Sequence, residues 1–314
     1  MKKFFIAAAA VISVLSAGAQ SKVFFTKKIT PEALVRIYNA LGRKAHGKVA
    51  VKISTGEPGG HNFLDPKLIS GLVKEVDGTI VECNTAYKGK RFTSEESLQA
   101  AKDHGFCDIA QVDIMDWDGS DTIPVKDTKH LKYNIVGKNL SNYDFLINLA
   151  HFKGHAMGGF GGVIKNLSIG ISSREGKTYI HTAGKTADAE KIWDNIAPQD
   201  DFLESMAAAA QGVADMFGDN ILYINVLNNL SVDCDCNGNP EAPRMKDLGI
   251  MASLDPVALD QASVDMVFNV KPAEGNDNRP LIERIESRHG THTIDYAEHI
   301  GLGSKKYVMV NIDE

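Results

Sequence analysis

The segment between residues 48 and 83 carries the pattern that decides the fold. Residues 48–54 read KVAVKIS, in which polar and apolar side chains alternate with the period of two expected of a β-strand. Residues 66–76, PKLISGLVKEV, have helical spacing of their apolar positions, and the Asp-Pro pair at 65 and 66 suits a helix start. Residues 79–83, TIVEC, have the composition of a second strand. This strand, helix, strand order predicts an α/β fold.

Similar patterns extend over most of the chain in both directions. Thr93 and Glu96 match a capping box, so we expect a helix that ends near residues 104–105. Further strands are predicted at 109–115, 145–149, 221–227, 248–253 and 306–312, and further helices at 201–217, 255–269 and 294–299. Loops or turns are predicted at 117–124 and 178–199, and residues 172–177 are predicted as a polar turn or, alternatively, as a continuation of a ligand-binding loop. Residues 20–314 should therefore form a single composite α/β domain, with a layered sheet of mixed, mostly parallel strands flanked by helices.

The first 19 residues have the pattern of a signal peptide. Lys2 and Lys3 precede an apolar run at residues 4–15, and Ala17 and Ala19 are small residues at a cleavage site. The apolar run is shorter than the roughly 20 residues that a membrane-spanning helix needs. We therefore expect cleavage after residue 19, export to the periplasm, and no stable membrane insertion of the cleaved protein.

The overall composition and charge indicate which kinds of partner the protein can be expected to bind. The 314 residues are 43% apolar and 24% charged, which is ordinary for a globular protein. Lys and Arg number 34 against 40 Asp and Glu, giving a net charge of -6, and no basic run is present. Nucleic-acid-binding domains are usually strongly basic. Nucleic acid is therefore not expected as a partner.

Residues 151–170, HFKGHAMGGFGGVIKNLSIG, are the densest group of unusual residues in the chain. They follow a predicted strand, and ligands of open α/β sheets bind at the carboxyl ends of strands. Lys153, His155 and Lys165 supply groups that bind anions. The glycines that would let backbone N–H groups approach a bound cofactor or ligand are Gly154, Gly158, Gly159, Gly161 and Gly162. The run matches neither common phosphate-loop motif, so it predicts a site for a small anionic ligand without naming a nucleotide.

Metal binding is a second hypothesis for the same region. His151 and His155 are four residues apart and would share the face of a helix, although Gly154 between them weakens that interpretation. Cys234 and Cys236 could chelate a soft metal ion of unknown identity, completed by His151, His155 or His181. The two cysteines could equally form a disulfide, or lie in the turn that the following NGNP sequence indicates.

Several motifs resemble those of the domain-of-unknown-function 362 family. They are an Asp-led apolar run at 144–148, the KGH sequence at 153–155, the KNL sequence at 165–167, and residues 247–253 and 255–260. The resemblance covers most of the chain after residue 20 and implies that Lys153, His155, Lys165 and Asn166 belong to the catalytic site. Many members carry a ferredoxin-like cysteine run. This chain lacks such a run, so no iron–sulfur cluster is expected.

Three functional hypotheses follow. In the first, the protein is a metal-dependent enzyme in which Lys165 and His155 act as acid–base or anion-binding groups. In the second, it binds a metal or small anion in the periplasm without catalysis. In the third, the glycines serve packing and the histidines have no chemical role. No nucleophile-elbow or zinc-protease motif is present to decide among them.

Overall fold

The computed structural model describes residues 20–313, in which twelve β-strands are assigned. In chain order they are β1 (Ser21–Thr26), β2 (Val49–Lys52), β3 (Gly78–Glu82), β4 (Val112–Ile114), β5 (Ser120–Ile123), β6 (Asn134–Gly137), β7 (Phe145–His151), β8 (Lys153–His155), β9 (Gly159–Gly161), β10 (Ile221–Leu227), β11 (Gly249–Ser253) and β12 (Tyr307–Asn311). Eight of them form one sheet in the order β12-β1-β11-β10-β7-β2-β3-β4. Strands β5 and β6 pair separately, as do β8 and β9.

The large sheet is mixed and mostly parallel, which confirms the predicted fold class. Neighbouring strands from β10 through β7, β2 and β3 to β4 are all parallel. Strand β11 is antiparallel to both β10 and β1, and β12 is parallel to β1. The carboxyl ends of β2, β3, β7 and β10 therefore lie at one edge of the sheet, where ligands of such sheets bind.

Nine α-helices connect or cover these strands within residues 20–313. They are α1 (Pro31–Ala40), α2 (Pro66–Glu75), α3 (Ser94–Asp103), α4 (Val163–Ser168), α5 (Arg174–His181), α6 (Gln199–Phe217), α7 (Pro256–Phe268), α8 (Arg279–Ser287) and α9 (His292–His299). The predicted helix starts are confirmed: Asp65 accepts from the backbone of Lys67, and Thr93 with Glu96 forms a complete capping box. Each cap satisfies backbone N–H groups that have no partner within the helix.

Alternation along the strands divides the core into two layers. Val49 and Val51 of β2 pack in the layer that also holds apolar residues of α1, α2 and α3. Ala50, which lies between them, packs on the opposite face with residues of α4, α6 and α7. Successive side chains of a strand point to opposite faces, so a central strand can be buried on both. The helices thus cover both sides of the sheet, as the sequence pattern predicts.

Local departures from the predicted elements occur in polar segments. The acidic stretch at 117–124, predicted as a loop, contains strand β5 paired with β6. Residues 172–177, predicted as a polar turn, begin helix α5, whose start is capped by Ser173 through the N–H of Gly176. Residues 178–181, predicted as loop, continue that helix. The prediction for α5 was wrong because its burial against α6 and β6 outweighs its polar composition. The prediction for 117–124 was wrong because pairing with β6 makes a strand of a polar segment.

The proposed signal peptide, residues 1–19, lies outside the described residues. Among residues 20–313, no helix combines the length and apolarity required to cross a membrane.

Candidate functional site

A cavity of about 330 Å³ opens at the carboxyl ends of β2, β3 and β7. The last residues of these strands, Lys52, Glu82 and His151, lie in its wall. Segments after the strands complete it, including the β8–β9 hairpin, α4, α5 and the loop after β10. Its size is at the lower end of the range of about 300–1,000 Å³ typical of small-molecule sites.

Lys52 and Glu82 form a buried ion pair at the base of the cavity. Lys52 Nζ lies 2.8 Å from Glu82 Oε1 and 3.2 Å from Asn166 Oδ1. The amide of Asn166 also donates to Asn148 Oδ1 at 2.6 Å. A Cβ at Gly170 would lie only 2.9 Å from Lys52 Nζ, so glycine makes room for the ammonium group. Asn166, predicted to be catalytic, therefore has its amide engaged in holding Lys52.

Burial alone would raise the pKa of Glu82, but the charges of Lys52 and Arg91 hold it below its ordinary value. Arg91 Nη1 lies 3.6 Å from Glu82, and its Nε lies 2.9 Å from Glu57. The positive charges of Lys52 and Arg91 are thus compensated by carboxylates inside the protein. Neither is available as an unpaired charge for a ligand.

Asp235, between the two cysteines, forms a second buried charge cluster. His151 Nδ1 lies 2.8 Å from its Oδ1, and Lys153 Nζ lies 2.8 Å from its Oδ2. His151 Nε2 lies 2.7 Å from the carbonyl oxygen of Asn228, so both ring nitrogens face hydrogen-bond acceptors. Burial would raise the pKa of Asp235, yet the charges of His151 and Lys153 keep it well below its ordinary range. His151 thus has no nitrogen left for a metal ion.

His155 also lies in the cavity wall, and its Nδ1 accepts backbone N–H groups. Gly158 N is 2.8 Å away and Met157 N is 3.2 Å away. Burial, followed by the charge of Lys165, lowers the pKa of His155 well below its ordinary value. The neutral ring therefore carries its proton on Nε2, which makes it a hydrogen-bond donor. A metal-binding histidine usually donates from its second nitrogen instead.

His181, the last residue of α5, has the opposite arrangement. Its Nδ1 lies 2.7 Å from the carbonyl oxygen of Lys177 and donates to it, which leaves Nε2 as an acceptor. Its ring stacks on Phe202 of α6 with centroids 4.7 Å apart. Burial lowers the pKa of His181 to about 4, so the ring is neutral at pH 7. Of the three histidines that line the cavity, His155 and His181 thus offer one donor and one acceptor.

Two lysines of the cavity have no carboxylate partner among residues 20–313. Lys165, half-buried on α4, has no side-chain hydrogen bond or ion pair in this part of the chain. Lys177 donates to the carbonyl oxygen of Ser172 at 2.7 Å and forms no ion pair. Burial, followed by the charge of Lys153, lowers the pKa of Lys165 to about 7. Lys165 therefore exchanges its proton near neutral pH.

Cys234 and Cys236 are joined as a disulfide in the cavity wall. Two of the alternatives left open by the sequence are thus present together, because the disulfide spans a turn in which Asn237 N–H donates to the Cys234 carbonyl oxygen at 2.9 Å. One ring nitrogen of His155 and the two sulfurs lie within 4.8 Å of one another, so these residues could hold a metal ion if the disulfide were reduced. A thiolate, rather than a disulfide sulfur, is the metal ligand.

The glycines predicted to face a cofactor serve different purposes. Gly161 lines the cavity. Gly158 uses its N–H to fix the histidine ring described above. Gly159 has φ +78°, and a Cβ there would lie 2.8 Å from the Cα of Gly290, so only glycine fits. Gly158 and Gly159 thus shape the hairpin that carries the site.

Gly162 leaves space for Asp260 of α7. A Cβ at Gly162 would lie 2.3 Å from the Asp260 carboxylate. That carboxylate accepts the backbone N–H groups of Val163 at 2.9 Å and Ile164 at 3.0 Å. Burial raises the pKa of Asp260 to about 6. Asp260 therefore engages the first backbone N–H groups of α4, while Gly162 itself lines the cavity beside Gly161.

Several cavity residues were not predicted from the sequence. They include Lys52, Glu82, Lys177 and Trp193. Lys52 and Glu82 each end a strand that is otherwise apolar and buried, and a charged residue at that position could have identified them. Lys177 was assigned to a surface turn. Trp193 lies in a segment without regular structure, and no sequence pattern marks it.

Comparison with known proteins gives one family and several matching solved structures. No curated protein matches the chain. Among six matching solved chains is the lactate racemase apoprotein from Thermoanaerobacterium thermosaccharolyticum, with a TM-score of 0.41 and 15% identity. The match covers 66% of this chain and 50% of that one, so this chain spans about half the length of that protein. The family model "Domain of unknown function (DUF362)" matches residues 49–265, more than half of the chain. The chain therefore belongs to the DUF362 family, as its sequence motifs indicated.

Proposed function

We propose that the cavity binds a small organic anion and that Lys165 transfers a proton to or from it. The observation that carries the proposal is the Lys165 ammonium group, which faces the cavity without a counter-charge among residues 20–313. Five lysine and arginine side chains line the cavity, against the two carboxylates of Glu82 and Asp235. An anionic ligand would supply the negative charge that balances Lys165 and Lys177.

The rest of the wall favours an organic anion over an inorganic one. Ala150, Met157, Ile169 and Trp193 line the cavity beside the charged groups. Apolar walls with a few fixed polar groups are typical of sites for organic ligands. The Nε2–H of His155 is a further donor for an anionic oxygen.

Proton transfer distinguishes an enzyme from a binding protein at this site. A group with a pKa near the working pH is most effective in general acid–base catalysis. Lys165, whose pKa is about 7, meets that condition. Arginine in its place would keep the positive charge but would not release a proton. Lys165→Arg therefore separates binding from catalysis.

Trp193 provides the readout of binding because it lines the cavity. In a Trp117→Phe background, its fluorescence would be titrated with succinate, citrate and glycerol 3-phosphate, with succinamide as the neutral match. We expect one or more anions to bind and succinamide not to bind. Lys165→Met should weaken binding by at least about tenfold, as expected for loss of a charged hydrogen bond, whereas the exposed Lys102→Met should not.

Catalysis is tested by exchange of the bound anion's acidic C–H protons in D2O, followed by NMR. The wild type should catalyse exchange, and Lys165→Arg should bind the anion without exchanging it. Binding without exchange in the wild type would support the non-catalytic alternative. Equal binding of anions and succinamide, or unchanged binding by Lys165→Met, would contradict the proposal altogether.

A metal site formed by His155, Cys234 and Cys236 is a second candidate. It is favoured by the close approach of their three ligand atoms and requires reduction of the disulfide. It also requires the proton of His155 to move from Nε2 to Nδ1, which must then release the backbone N–H groups of Met157 and Gly158. Zn²⁺ titration before and after reduction should then show an additional bound equivalent in the reduced protein. Cys234→Ser/Cys236→Ser should lose that equivalent. No additional binding on reduction would remove this candidate.

We also propose that residues 1–19 direct export, on the sequence pattern alone. Cell fractionation of the full chain and of a chain starting at Met-Gln20 tests this. The full chain should appear in the periplasm and the shortened chain in the cytoplasm.

A further inference from the structure

A second group of metal-ligating side chains lies outside the cavity, where the first turn of α6 meets the loop before β6 and the corner between α8 and α9. We call it the α6 cluster. Its members are Lys129, His130, Asp200, Asp201, Glu204, His289 and His292. None of these described residues lines the cavity.

Glu204 is the centre of the α6 cluster. His130 Nε2 lies 2.6 Å from its Oε2, and His292 Nε2 lies 3.1 Å from its Oε1. Lys129 Nζ also lies 2.5 Å from Oε2. The Glu204 side chain is only 9% exposed, so two imidazole nitrogens and an ammonium converge on a buried carboxylate. Burial would raise the pKa of Glu204, but the hydrogen bonds from Lys129, His130 and His292 lower it to about 2.

Asp201 adds a third ligand beside His130 and Glu204. Its Oδ1 lies 3.9 Å from His130 Nε2, and one ligand atom from each of the three residues lies within 4.8 Å of the others. In a tetrahedral zinc site the metal–ligand distances are about 2.0–2.2 Å, which places ligand atoms roughly 3.3–3.5 Å apart. The 2.6 Å contact would open and the 3.9 Å contact would close, each by less than about 1 Å. Both contacts to His130 are thus within about 1 Å of the ligand spacing in a zinc site.

The balance of charges in the α6 cluster also favours binding of a cation. Asp200, Asp201 and Glu204 supply three carboxylates, whereas Lys129 is the one lysine that pairs with them among the described residues. Asp200 Oδ1 lies 2.7 Å from His289 Nδ1, which makes a mixed histidine and carboxylate surface. Imidazole nitrogen with carboxylate oxygen is a donor set that suits zinc and similar divalent ions.

We propose that His130, Asp201 and Glu204 bind a divalent transition-metal cation of the zinc class. The Lys129 ammonium group lies beside Glu204 Oε2, where the cation would bind, and it is displaced when the cation binds. The alternative is a network of ion pairs without affinity for metal. Removal of Lys129 distinguishes the two. In an ion-pair network Glu204 would lose a partner and gain no affinity for metal, whereas in a metal site the cation would lose its competitor and bind more tightly.

The test is calorimetric titration of Zn²⁺ into the wild-type protein at pH 7.5 without reductant. A thiol assay on the same sample would verify that Cys234 and Cys236 remain joined, which keeps the cavity sulfurs from contributing. We expect one tight equivalent. His130→Ala and Asp201→Asn should each weaken it by at least about tenfold, on the scale seen when metal-site residues are removed. Lys129→Met should strengthen it by up to about fivefold, since an exposed ion pair contributes little.

The matched control is His61→Ala, which removes an exposed histidine outside the α6 cluster and should leave Zn²⁺ affinity unchanged. Circular dichroism of each variant would verify folding. Absence of tight Zn²⁺ binding in the wild type would overturn the proposal. So would wild-type affinity in His130→Ala, or weaker binding in Lys129→Met. Anion binding by the cavity is measured separately through Trp193, so the two proposals can fail independently.

Discussion

The cavity and the α6 cluster are built around similar carboxylates in opposite electrostatic surroundings. Asp235 in the cavity contacts His151 and Lys153, and Glu204 in the α6 cluster contacts histidine and lysine in the same way. Among residues 20–313, the cavity retains lysines that have no carboxylate partner, whereas the α6 cluster has three carboxylates and one lysine paired with them. The two regions therefore differ in the sign of the charge that remains after internal pairing.

Neutralising Asp235 and Glu204 should give the largest changes in the free energy of unfolding, and the two changes should differ in size. Asp235→Asn leaves His151 and Lys153 buried beside an amide that cannot balance them, so we expect a loss of about 3–5 kcal/mol in the free energy of unfolding. Glu204→Gln should cost about 1 kcal/mol, since Lys129 is half exposed and can reach water. Urea denaturation of both variants at pH 7 measures the difference. Equal losses would show that the two carboxylates have the same role.

The affinity of the cavity for its anion should depend on pH through Lys165. The ammonium form binds the anion, and the amine form predominates above a pKa of about 7. Affinity should therefore fall by about tenfold per pH unit as pH rises above the Lys165 pKa of the ligand-free protein, and level off only above the higher pKa of the complex. Fluorescence titrations from pH 6 to pH 9 test this. The pH-independent charge of Lys165→Arg should flatten the profile, and a sloping profile in that variant would assign the titration to another group.

The smallest expected effect is that of Lys165→Met on the thermal stability of the ligand-free protein. The pKa of Lys165 is depressed in the folded protein relative to the unfolded chain, so below pH 7 both states are protonated and the folded state carries the full cost of burying the charge. Between pH 7 and about 10 the unfolded chain binds more protons, so wild-type stability rises with pH. Lys165→Met should exceed the wild type in Tm by about 2–4 °C at pH 6, with the gap closing by pH 10. A gap independent of pH would indicate a packing effect.

The sheet could be predicted from sequence because its strands are strongly patterned. Alternation at residues 48–54 and the caps at Asp65 and Thr93 depend on neighbours in sequence, and the structure confirms all three. Helix α5 was missed because its polar residues become buried only through contacts with α6 and β6. Such tertiary contacts leave no periodic signal in the segment itself.

The cavity could be located from sequence, but its internal pairing could not. Residues 151–170 do border it, and Lys153, His155 and Lys165 line it together. The pairing of Lys153 with Asp235 joins residues 82 apart in sequence, and no local pattern encodes such a contact. The same holds for the engagement of both His151 nitrogens. Which lysine keeps an uncompensated charge is therefore a property of the fold alone.

The position of β1 in the sheet has a consequence for the order in which the chain can fold. Strand β1 is the first element of the described chain, yet its two neighbours are β11 and β12, which begin at residues 249 and 307. During synthesis its backbone groups have no native strand partner until more than two hundred further residues have been made. One side of the sheet is thus completed only when the last strand arrives. The edge formed by β1 therefore stays without its native neighbours throughout most of translation.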